Sequence, residues 1–429
     1  MMNFLTDSPY KKYIYILFFI CFSVLVYRAF NVSVYDSGRA RNQIYGDGYS
    51  DINTISSAKY FLDSGFTQTV LLPVHDYYPN LIQNKAYTHY PALPNILAGV
   101  YAVIFNSVNE PILRIIPLLL AIVFFFLIFK VLYQITQNHQ QTFIGGASIL
   151  LACYYICWAD NLHQHLYGEM LKWIYVSLLF AYYFKPQRNK LYFIPMWVIM
   201  LLQVNISFEQ PVYLGVLTLA FSVLFDRKIF SYETISAGLF VGIGFGLHIY
   251  QNAIYFGGWD LAIKDLKDAF LFRSAGVETA GQIAEDAFGL SSYWQIPFTW
   301  FNRMERFFMF PGWAFVIIAY WVFSELKAKN KKMYKVLWAL FFASVAWSFF
   351  MAQHAYIHTF TNKHFAVFYA LIMGMGLPLF YQKMKWAYLQ KQKVGLVFYS
   401  LLATYMIAMF ITQQVIPVFI QFGIGYKLV

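Results

Sequence analysis

Long apolar runs recur from residue 13 to residue 413, and they limit what this chain can fold into. Hydrophobic residues make up 60% of the chain and charged residues only 12%, which is about half the charge of a soluble domain. The alternation of apolar and polar residues that a transmembrane barrel needs is absent. The sequence therefore predicts an all-helical polytopic membrane protein that forms one integral membrane domain over residues 1–429.

The apolar runs predict about eleven membrane-spanning helices, several of them at or below the usual minimum length. The run after Lys11 and Lys12 is followed by no small-residue cleavage site, so we interpret it as an uncleaved signal anchor. The predicted spans are 13–30, 112–133, 143–159, 169–184, 191–206, 211–225, 229–252, 308–324, 336–352, 364–381 and 394–413.

Residues 91–106 are apolar but short, and Pro91, Pro94 and Gly99 interrupt them. If this segment does not cross, the side that holds the N-terminus carries 17 of the 31 basic residues and four of the 20 acidic ones. That asymmetry follows the positive-inside rule, whereas a crossing would place the later basic clusters outside. We therefore predict a cytoplasmic N-terminus, and we attribute the net charge of +11 to topology rather than to nucleic-acid binding.

This topology places two long loops on the outer face, residues 31–111 and residues 253–307. In the first loop, Ser50 or Asp51 can cap a helix that ends at Gly65. The long loop at residues 253–307 is the fourth outer loop. Within it, residues 259–273 predict an amphipathic helix that lies in the membrane interface. Most carboxylates also fall on the outer side, so we expect the chemistry there.

An acidic motif follows the first span, in the stretch IYGDGYSDINTISSAKYFLDSG at residues 44–65. Together with YTHYPALPNILAGVYAVIF at residues 87–105, it resembles the GT-C fold glycosyltransferases. Among them, the protein O-mannosyltransferase and lipid A aminoarabinose transferase group is the most similar, over residues 10–225. The resemblance implies a GT-C fold and transfer of a sugar from a polyprenyl-phosphate carrier on the outer or lumenal face.

The resemblance also implies roles for individual positions. Asp47 matches the first-loop acidic residue proposed as the catalytic base, and Asp160 matches an acidic residue of the second outer loop. Gly48 follows Asp47 where the mannosyltransferase pattern has a second acid, so no mannosyl donor is assigned. His89 lies in a short proline-containing motif near the donor, and we expect Lys85 and His89 to contact substrate.

The residue types around Asp47 suit sugar transfer from a phosphate. A base must take the proton of the acceptor, and cationic groups must hold the phosphate as it leaves. The glycines on both sides of Asp47 let the backbone approach a substrate closely. A turn aspartate that only caps the loop is the alternative for this pattern.

Carboxylates at the outer ends of spans are further candidates for substrate binding, because a bare carboxylate in a membrane is costly. Glu169 begins a predicted span, and Glu209 lies in a hairpin where a hydrogen-bonded cap is the alternative. The stretch ADNLHQHLYGEM at residues 159–170 joins Asp160 to two histidines and Glu169. Its histidines do not have the spacing of a helical pair, so we predict a polar rim that contacts substrate and no metal site, with a solvated loop as the alternative.

The predicted ligands of the donor phosphate lie in two later outer segments. Arg303 and Arg306 are one helical turn apart, which suits a phosphate clamp and equally suits lipid headgroups. The stretch QHAYIHTFTNKH at residues 353–364 is rich in histidine and has an ordinary interfacial role as its alternative. The candidates are Arg273, Arg303 and Arg306 in the fourth outer loop, and His358 and Lys363 in the later segment.

The sequence therefore predicts a membrane glycosyltransferase of the hexosyl or pentosyl class. Its expected partners are a polyprenyl-phosphate sugar, membrane lipids and a glycan, lipid or protein acceptor, and no nucleic acid. No cofactor is indicated, although a divalent metal can assist such transfers. A bacterial source would place it in the inner membrane with undecaprenyl phosphate as carrier.

Two other classes remain as alternatives. An O-antigen polymerase or ligase has its main outer loop late in the chain, whereas here the first outer loop is the longest. A transporter or flippase needs polar residues at mid-membrane depth. The ionisable residues of this chain cluster instead at span ends and in outer loops.

Overall fold

The apolar runs fold into helices, and every regular element within the residues described by the computed structural model is helical. These residues are 7–34, 46–78, 85–274 and 294–416, without the side chains of 272–274, 305, 306 and 359. The helices of the first half are Lys11–Asn31, Gly48–Ser64, Leu93–Phe105, Glu110–Leu113, Ile115–Thr136, His139–Leu150, Cys153–Ile156, Gln164–Phe184 and Phe193–Ile206. Those of the second half are Glu209–Phe221, Tyr232–Phe256, Trp259–Ser274, Gln295–Phe307, Gly312–Lys329, Lys331–Phe350, Ala352–Ile357, Ala366–Leu389 and Lys393–Phe410.

Six helical stretches among the described residues are long and apolar enough to cross a membrane. The chain is thus a multi-pass integral membrane protein with an all-helical architecture, as its apolar runs predict. The other predicted spans coincide with helices that are shorter or more polar, so the total of about eleven crossings stays a prediction. The six are Lys11–Asn31, Glu110–Thr136, Tyr232–Phe256, Lys331–Phe350, Phe360–Leu389 and Lys393–Val415.

Three basic segments meet at one end of the bundle, namely residues 185–190, residues 226–228 and residues 325–335. Arg188 forms a two-pronged ion pair with Asp226, at distances of 2.8 and 2.7 Å. The Lys335 Nζ donates a hydrogen bond to the carbonyl oxygen of Leu224 at 2.6 Å. We call the end marked by these residues the basic end. Positive charge therefore collects on one side of the bundle, which is the arrangement that the positive-inside rule describes.

The first-loop helix, Gly48–Ser64, begins at Asp47 rather than where the sequence suggested. The Asp47 Oδ1 accepts a hydrogen bond from the backbone N–H of Ser50 at 3.1 Å, which makes Asp47 the N-cap. The expectation that Ser50 or Asp51 caps the helix is wrong, because the helix starts earlier and Asp51 turns inward to a buried ion pair. The predicted end at Gly65 is confirmed, and its φ of 81° suits glycine.

The segment at residues 91–106 forms the helix Leu93–Phe105, which packs along the first-loop helix. The two helices approach so closely that a Cβ at Gly99 would lie 2.6 Å from Cδ2 of Phe61. The 13 residues of this helix cover about 20 Å, less than the roughly 30 Å of a hydrocarbon core. Because helices of similar length coincide with predicted spans, such as His139–Leu150 and Phe193–Ile206, length alone does not decide the topology, and the absence of a crossing here stays a prediction.

The helix expected in the fourth outer loop is present at Trp259–Ser274. Its Asp265 carboxylate pairs with His89 Nε2 at 2.8 Å and accepts a hydrogen bond from the Thr88 hydroxyl at 2.7 Å. These contacts connect the two long loops to each other. The location of this helix in the membrane interface stays a prediction.

Two buried arginines tie the first loop to the bundle. The Arg114 guanidinium lies 2.6 Å from the Asp51 carboxylate and 2.9 Å from that of Glu110. It also lies 3.3 Å from Asp160, which is 3.6 Å from Arg28. None of these five side chains is more than 8% exposed. We call them the arginine cluster, and each buried charge in it depends on its partners.

Replacing Arg114 with methionine is expected to lower the free energy of unfolding by about 3 to 5 kcal/mol, because buried carboxylates lose their cation. The matched control is Lys59→Met, which breaks an exposed ion pair with Asp63 and should cost less than about 1 kcal/mol. Thermal and denaturant unfolding of both variants in the same detergent measures the difference. Equal stability of the two variants would contradict the role given to the arginine cluster.

Candidate active site

A cavity of about 170 Å³ lies beside the start of the first-loop helix. The helix Gln164–Phe184 begins at this cavity, and its last residue, Phe184, has its ring centre 3.8 Å from Lys332 Nζ. Lys332 lies about one helical turn before Lys335 of the basic end. The cavity is therefore at the end of the bundle opposite the basic end. Its lining residues are Asp47, Tyr49, Ser50, Asn53, His75, Tyr87, Tyr90, His163, Gln164, His354, His358 and Phe360.

Asp47 is the acidic residue of this lining and is only 3% exposed. Its Oδ1 accepts the Ser50 backbone N–H at 3.1 Å, and its Oδ2 accepts the Ser50 hydroxyl. The Oδ2 also lies 3.2 Å from Nε2 of His165. Burial alone would raise the pKa of Asp47, but the hydrogen bonds from His165 and Ser50 outweigh it and hold the pKa well below its usual value. The carboxylate is therefore ionised across the physiological pH range.

Imidazoles form much of the remaining polar lining. Burial lowers the pKa of His75 to about 4. Burial likewise lowers the pKa of His163 to about 3, although the charge of Asp47 acts in the opposite direction. Both rings are neutral at pH 7, and each neutral ring offers one N–H donor and one acceptor. The histidine lining consists of His75, His163, His354 and His358.

Three buried polar atoms of the lining have no hydrogen-bond partner among the described residues. They are His75 Nε2, His163 Nδ1 and Gln164 Oε1. Buried polar atoms in proteins nearly always have a partner. Three such atoms around one cavity indicate a place where a polar ligand or ordered water completes the hydrogen bonding.

The structure places two of the predicted site residues, Glu209 and Lys363, behind the cavity wall. Their side chains are paired at 2.8 Å, and Glu209 Oε2 lies 3.1 Å from Nε2 of His364. The Lys363 Nζ also lies 3.0 Å from Nδ1 of His165. The two residues are thus connected to Asp47 through a single imidazole.

Two other predicted substrate ligands also lie in buried ion pairs. Asp160 belongs to the arginine cluster and lies outside the cavity lining. Glu169 accepts hydrogen bonds from Lys172 Nζ at 2.7 Å and from Gln210 Nε2 at 3.0 Å. It also accepts a hydrogen bond from the Tyr154 hydroxyl at 2.5 Å.

Of the remaining predicted ligands whose side chains are described, His358 lines the cavity, whereas Arg303, His89 and Lys85 do not. Arg303 donates hydrogen bonds to the carbonyl oxygens of Ala355 and His358 at 2.8 and 3.0 Å, so it braces the segment that carries His358. His89 pairs with the fourth-loop helix, and Lys85 is exposed. The side chains of Arg273 and Arg306 lie outside the described residues.

Sequence reasoning missed several residues that organise this site. His75 gave no signal, because a histidine in a polar loop is common. Arg28 and Arg114 did give one, since each stands in or beside an apolar run where an ionisable side chain needs a buried partner. The partners of such arginines are distant in sequence and are visible only in the fold.

Metal-ligating residue types are frequent near the cavity. Among the described residues, no group of three or more His, Cys, Asp or Glu side chains is arranged so that it could hold a metal ion. The three cysteines, Cys21, Cys153 and Cys157, are all buried in the bundle.

Comparison with protein-family models and with curated protein sequences gave no match. Comparison with solved structures gave the oligosaccharyltransferase of Archaeoglobus fulgidus. The match to its apo form has a TM-score of 0.54 and 12% sequence identity, and it covers 95% of the present chain and 56% of the archaeal chain. This chain has a GT-C fold.

Two further oligosaccharyltransferase structures from the same archaeon agree with this result. One is tethered to an acceptor peptide containing the NVT sequon, with a TM-score of 0.53, 12% identity and coverage of 96% of this chain and 55% of that chain. The other is AglB in complex with an inhibitory peptide and a dolichol-phosphate, with a TM-score of 0.52, 12% identity and coverage of 96% and 56%. The chain thus spans slightly more than half the length of these proteins.

The predicted GT-C fold is confirmed by these neighbours. They are oligosaccharyltransferases, so they do not support the narrower resemblance to the protein O-mannosyltransferase and aminoarabinose transferase group. At 12% identity the likeness extends to the fold, and the chemistry must be argued from the cavity.

Proposed function

We propose that this protein is a glycosyltransferase that moves a sugar from a polyprenyl-phosphate carrier to an acceptor. The observation that carries the proposal is the ionised Asp47 in a cavity lined by imidazoles, at one end of an apolar bundle with a GT-C fold. A lipid-linked donor is also supported by the dolichol-phosphate bound to a structural neighbour. The apolar bundle would allow such a carrier to reach the cavity from the membrane.

In the proposed reaction, the bond between the anomeric carbon and the donor phosphate oxygen breaks, and the phosphate leaves with the electron pair. A nucleophilic atom of the acceptor forms the new bond to the anomeric carbon. The proton of the acceptor passes to Asp47, which acts as the general base. Glycosyl transfer passes through an oxocarbenium-like transition state in related chemistry, and the charge of Asp47 also stabilises that centre.

The leaving phosphate is assigned to the histidine lining. The Nδ1 of His354 accepts the indole N–H of Trp347 at 3.0 Å, which leaves its Nε2 as the position for a donor. His358 lies beside it, with ring centres 4.4 Å apart, and it was a candidate phosphate ligand on sequence grounds. Imidazole N–H groups at these positions would stabilise negative charge as it develops on the phosphate.

The finer features are proposals as well. Among glycan, lipid and protein acceptors we favour a peptide, because two structural neighbours hold peptides. The class of sugar is left open between hexose and pentose. We assign no cofactor, and loss of transfer on chelation that a divalent cation restores would overturn this part of the proposal.

The orientation in the membrane is also proposed from charge. The basic end is placed in the cytoplasm with the N-terminus, so the cavity opens on the outer face. A bacterial source would make this the periplasmic face of the inner membrane, with undecaprenyl phosphate as carrier.

Cysteine labelling is expected to confirm this orientation. The three native cysteines are buried, so Tyr49→Cys at the cavity and Lys332→Cys at the basic end can each be made in the wild-type background. A membrane-impermeant maleimide applied to intact cells should label the Tyr49→Cys variant and should label the Lys332→Cys variant only after permeabilisation. The reverse pattern would show that the cavity faces the cytoplasm.

Asp47→Asn is expected to lower sugar transfer by about 10² to 10⁴-fold, because the general base is lost. Asparagine is as good an N-cap as aspartate, so the first-loop helix should remain folded. The matched control is Asp63→Asn, an exposed carboxylate near the end of the same helix, which should transfer at the wild-type rate. Transfer from radiolabelled polyprenyl-phosphate sugars in membranes, with donor binding measured in parallel, checks both.

Full transfer by the Asp47→Asn variant would remove Asp47 as the base. Absence of transfer by the wild-type protein from every donor tested would count against the glycosyltransferase proposal. It would favour the polymerase, ligase and transport alternatives.

The dependence of kcat/KM on pH should be the same in shape for wild type, His75→Gln and His163→Gln between pH 5 and pH 8. This parameter reports ionisations of the free enzyme. The lowered pKa values of about 4 for His75 and about 3 for His163 place their protonation below this range. An acid limb that is present in the wild type and missing in one variant would contradict the burial of that imidazole.

A further inference from the structure

A chain of buried polar side chains leads from the cavity into the helix bundle. The Asp47 Oδ2 lies 3.2 Å from Nε2 of His165, and Nδ1 of His165 lies 3.0 Å from the Lys363 Nζ. The Lys363 Nζ lies 2.8 Å from Oε1 of Glu209. All four side chains are at most 3% exposed. We call these residues the polar chain.

The donors and acceptors of the polar chain can be assigned from its two ends. The Lys363 Nζ forms an ion pair with the Glu209 carboxylate at 2.8 Å, and a lysine in an ion pair donates hydrogen bonds. An ammonium has only hydrogens to donate, and Nδ1 of His165 must therefore accept. The ring proton of a neutral His165 is then on Nε2, which donates to Asp47.

The polar chain contains more than an ion pair requires. Lys363 and Glu209 satisfy each other's charge. The backbone of Lys363 is also held, because its carbonyl oxygen accepts a hydrogen bond from Lys172 Nζ at 3.0 Å. Neither contact requires His165. Lys363 makes an additional contact to His165, and His165 contacts Asp47, the one carboxylate among the described residues that line the cavity. Lys363 also lies 5.0 Å from the ring centre of Phe360, another lining residue.

We infer that His165, Lys363 and Glu209 position the Asp47 carboxylate for catalysis. Lys363, held by Glu209, selects the tautomer of His165 that donates to Oδ2, and Ser50 holds the other side of the carboxylate. The oxygens are thereby fixed in rotation and their remaining acceptor sites face the cavity. The polar chain holds the carboxylate and moves no proton. This inference rests on the proposed function and assigns positioning roles to two residues that sequence reasoning treated as ligands.

The tautomer can be measured without any assay of transfer. In the full-length protein labelled with ¹⁵N-histidine, the ring signals of His165 are identified by their loss in His165→Gln. At pH 7 without substrate, their ¹⁵N chemical shifts are expected to be those of a neutral ring that carries its proton on Nε2. A neutral ring protonated on Nδ1, or an imidazolium, would overturn the inference whatever the protein transfers.

Two amide replacements then separate positioning from packing. The side-chain amide of glutamine reaches the place of Nε2, whereas that of asparagine reaches only the place of Nδ1. His165→Asn is expected to lower kcat by about 10- to 100-fold through misorientation of Asp47. The donor KM should stay within about threefold of the wild-type value, because donor binding is not altered. His165→Gln should restore most of the lost kcat, and equal kcat values for the two variants would overturn the inference.

The contribution of Lys363 is tested in a charge-balanced variant, because Lys363→Met alone would leave Glu209 buried without a partner. The double variant Lys363→Met/Glu209→Gln removes both charges together. Its thermal unfolding midpoint is expected to stay near that of wild type. Its kcat should fall to the same extent as in His165→Asn, and the ring signals of His165 should show a mixture of tautomers. Unchanged signals would overturn the role of Lys363. Inactivity of wild type with the Nε2 tautomer present would instead count against the proposed function.

Discussion

Charge pairing in a poorly solvated helix bundle is the constraint on which the cavity end of this protein depends. Arg114 joins Asp51 of the first loop to Asp160 beside the third predicted span, and Lys363 joins a late segment to Glu209. An unpaired charge at such a position would cost several kcal/mol. The ion pairs therefore determine where the loops lie, and the cavity is the space that remains between them.

The sequence was most informative where a local rule applied. Asp47 between two glycines predicted a functional loop, and the structure places this side chain in the cavity lining. Gly65 predicted the end of the first-loop helix and ends it. The resemblance in residues 44–65 and 87–105 indicated a GT-C fold, which structural comparison confirms. In each case the signal lies in one or two short segments, each of about twenty consecutive residues.

The sequence was least informative where a role depends on a distant partner. Glu209 was a predicted substrate ligand because a carboxylate at the end of a span is costly without a partner, but its partner Lys363 is 154 residues away. A carboxylate that contacts substrate and one that neutralises a buried lysine look alike in sequence. The same holds for Asp160, whose arginine partners come from the helix Lys11–Asn31 and from the junction between Glu110–Leu113 and Ile115–Thr136. Orientation of the side chain decides between the roles, and only the packed bundle specifies it.

In the proposed glycosyl transfer, the surroundings of Asp47 fit late proton transfer better than early proton removal. A carboxylate that accepts hydrogen bonds from Ser50 and His165 has a low pKa and is too weak a base to ionise a resting acceptor. As the anomeric carbon becomes electron-deficient, however, the attacking group becomes strongly acidic and even a weak base receives its proton. Meanwhile the fixed negative charge is complementary to the oxocarbenium-like centre. Tight hydrogen bonding to Asp47 is therefore compatible with catalysis, because orientation and charge matter more here than basicity.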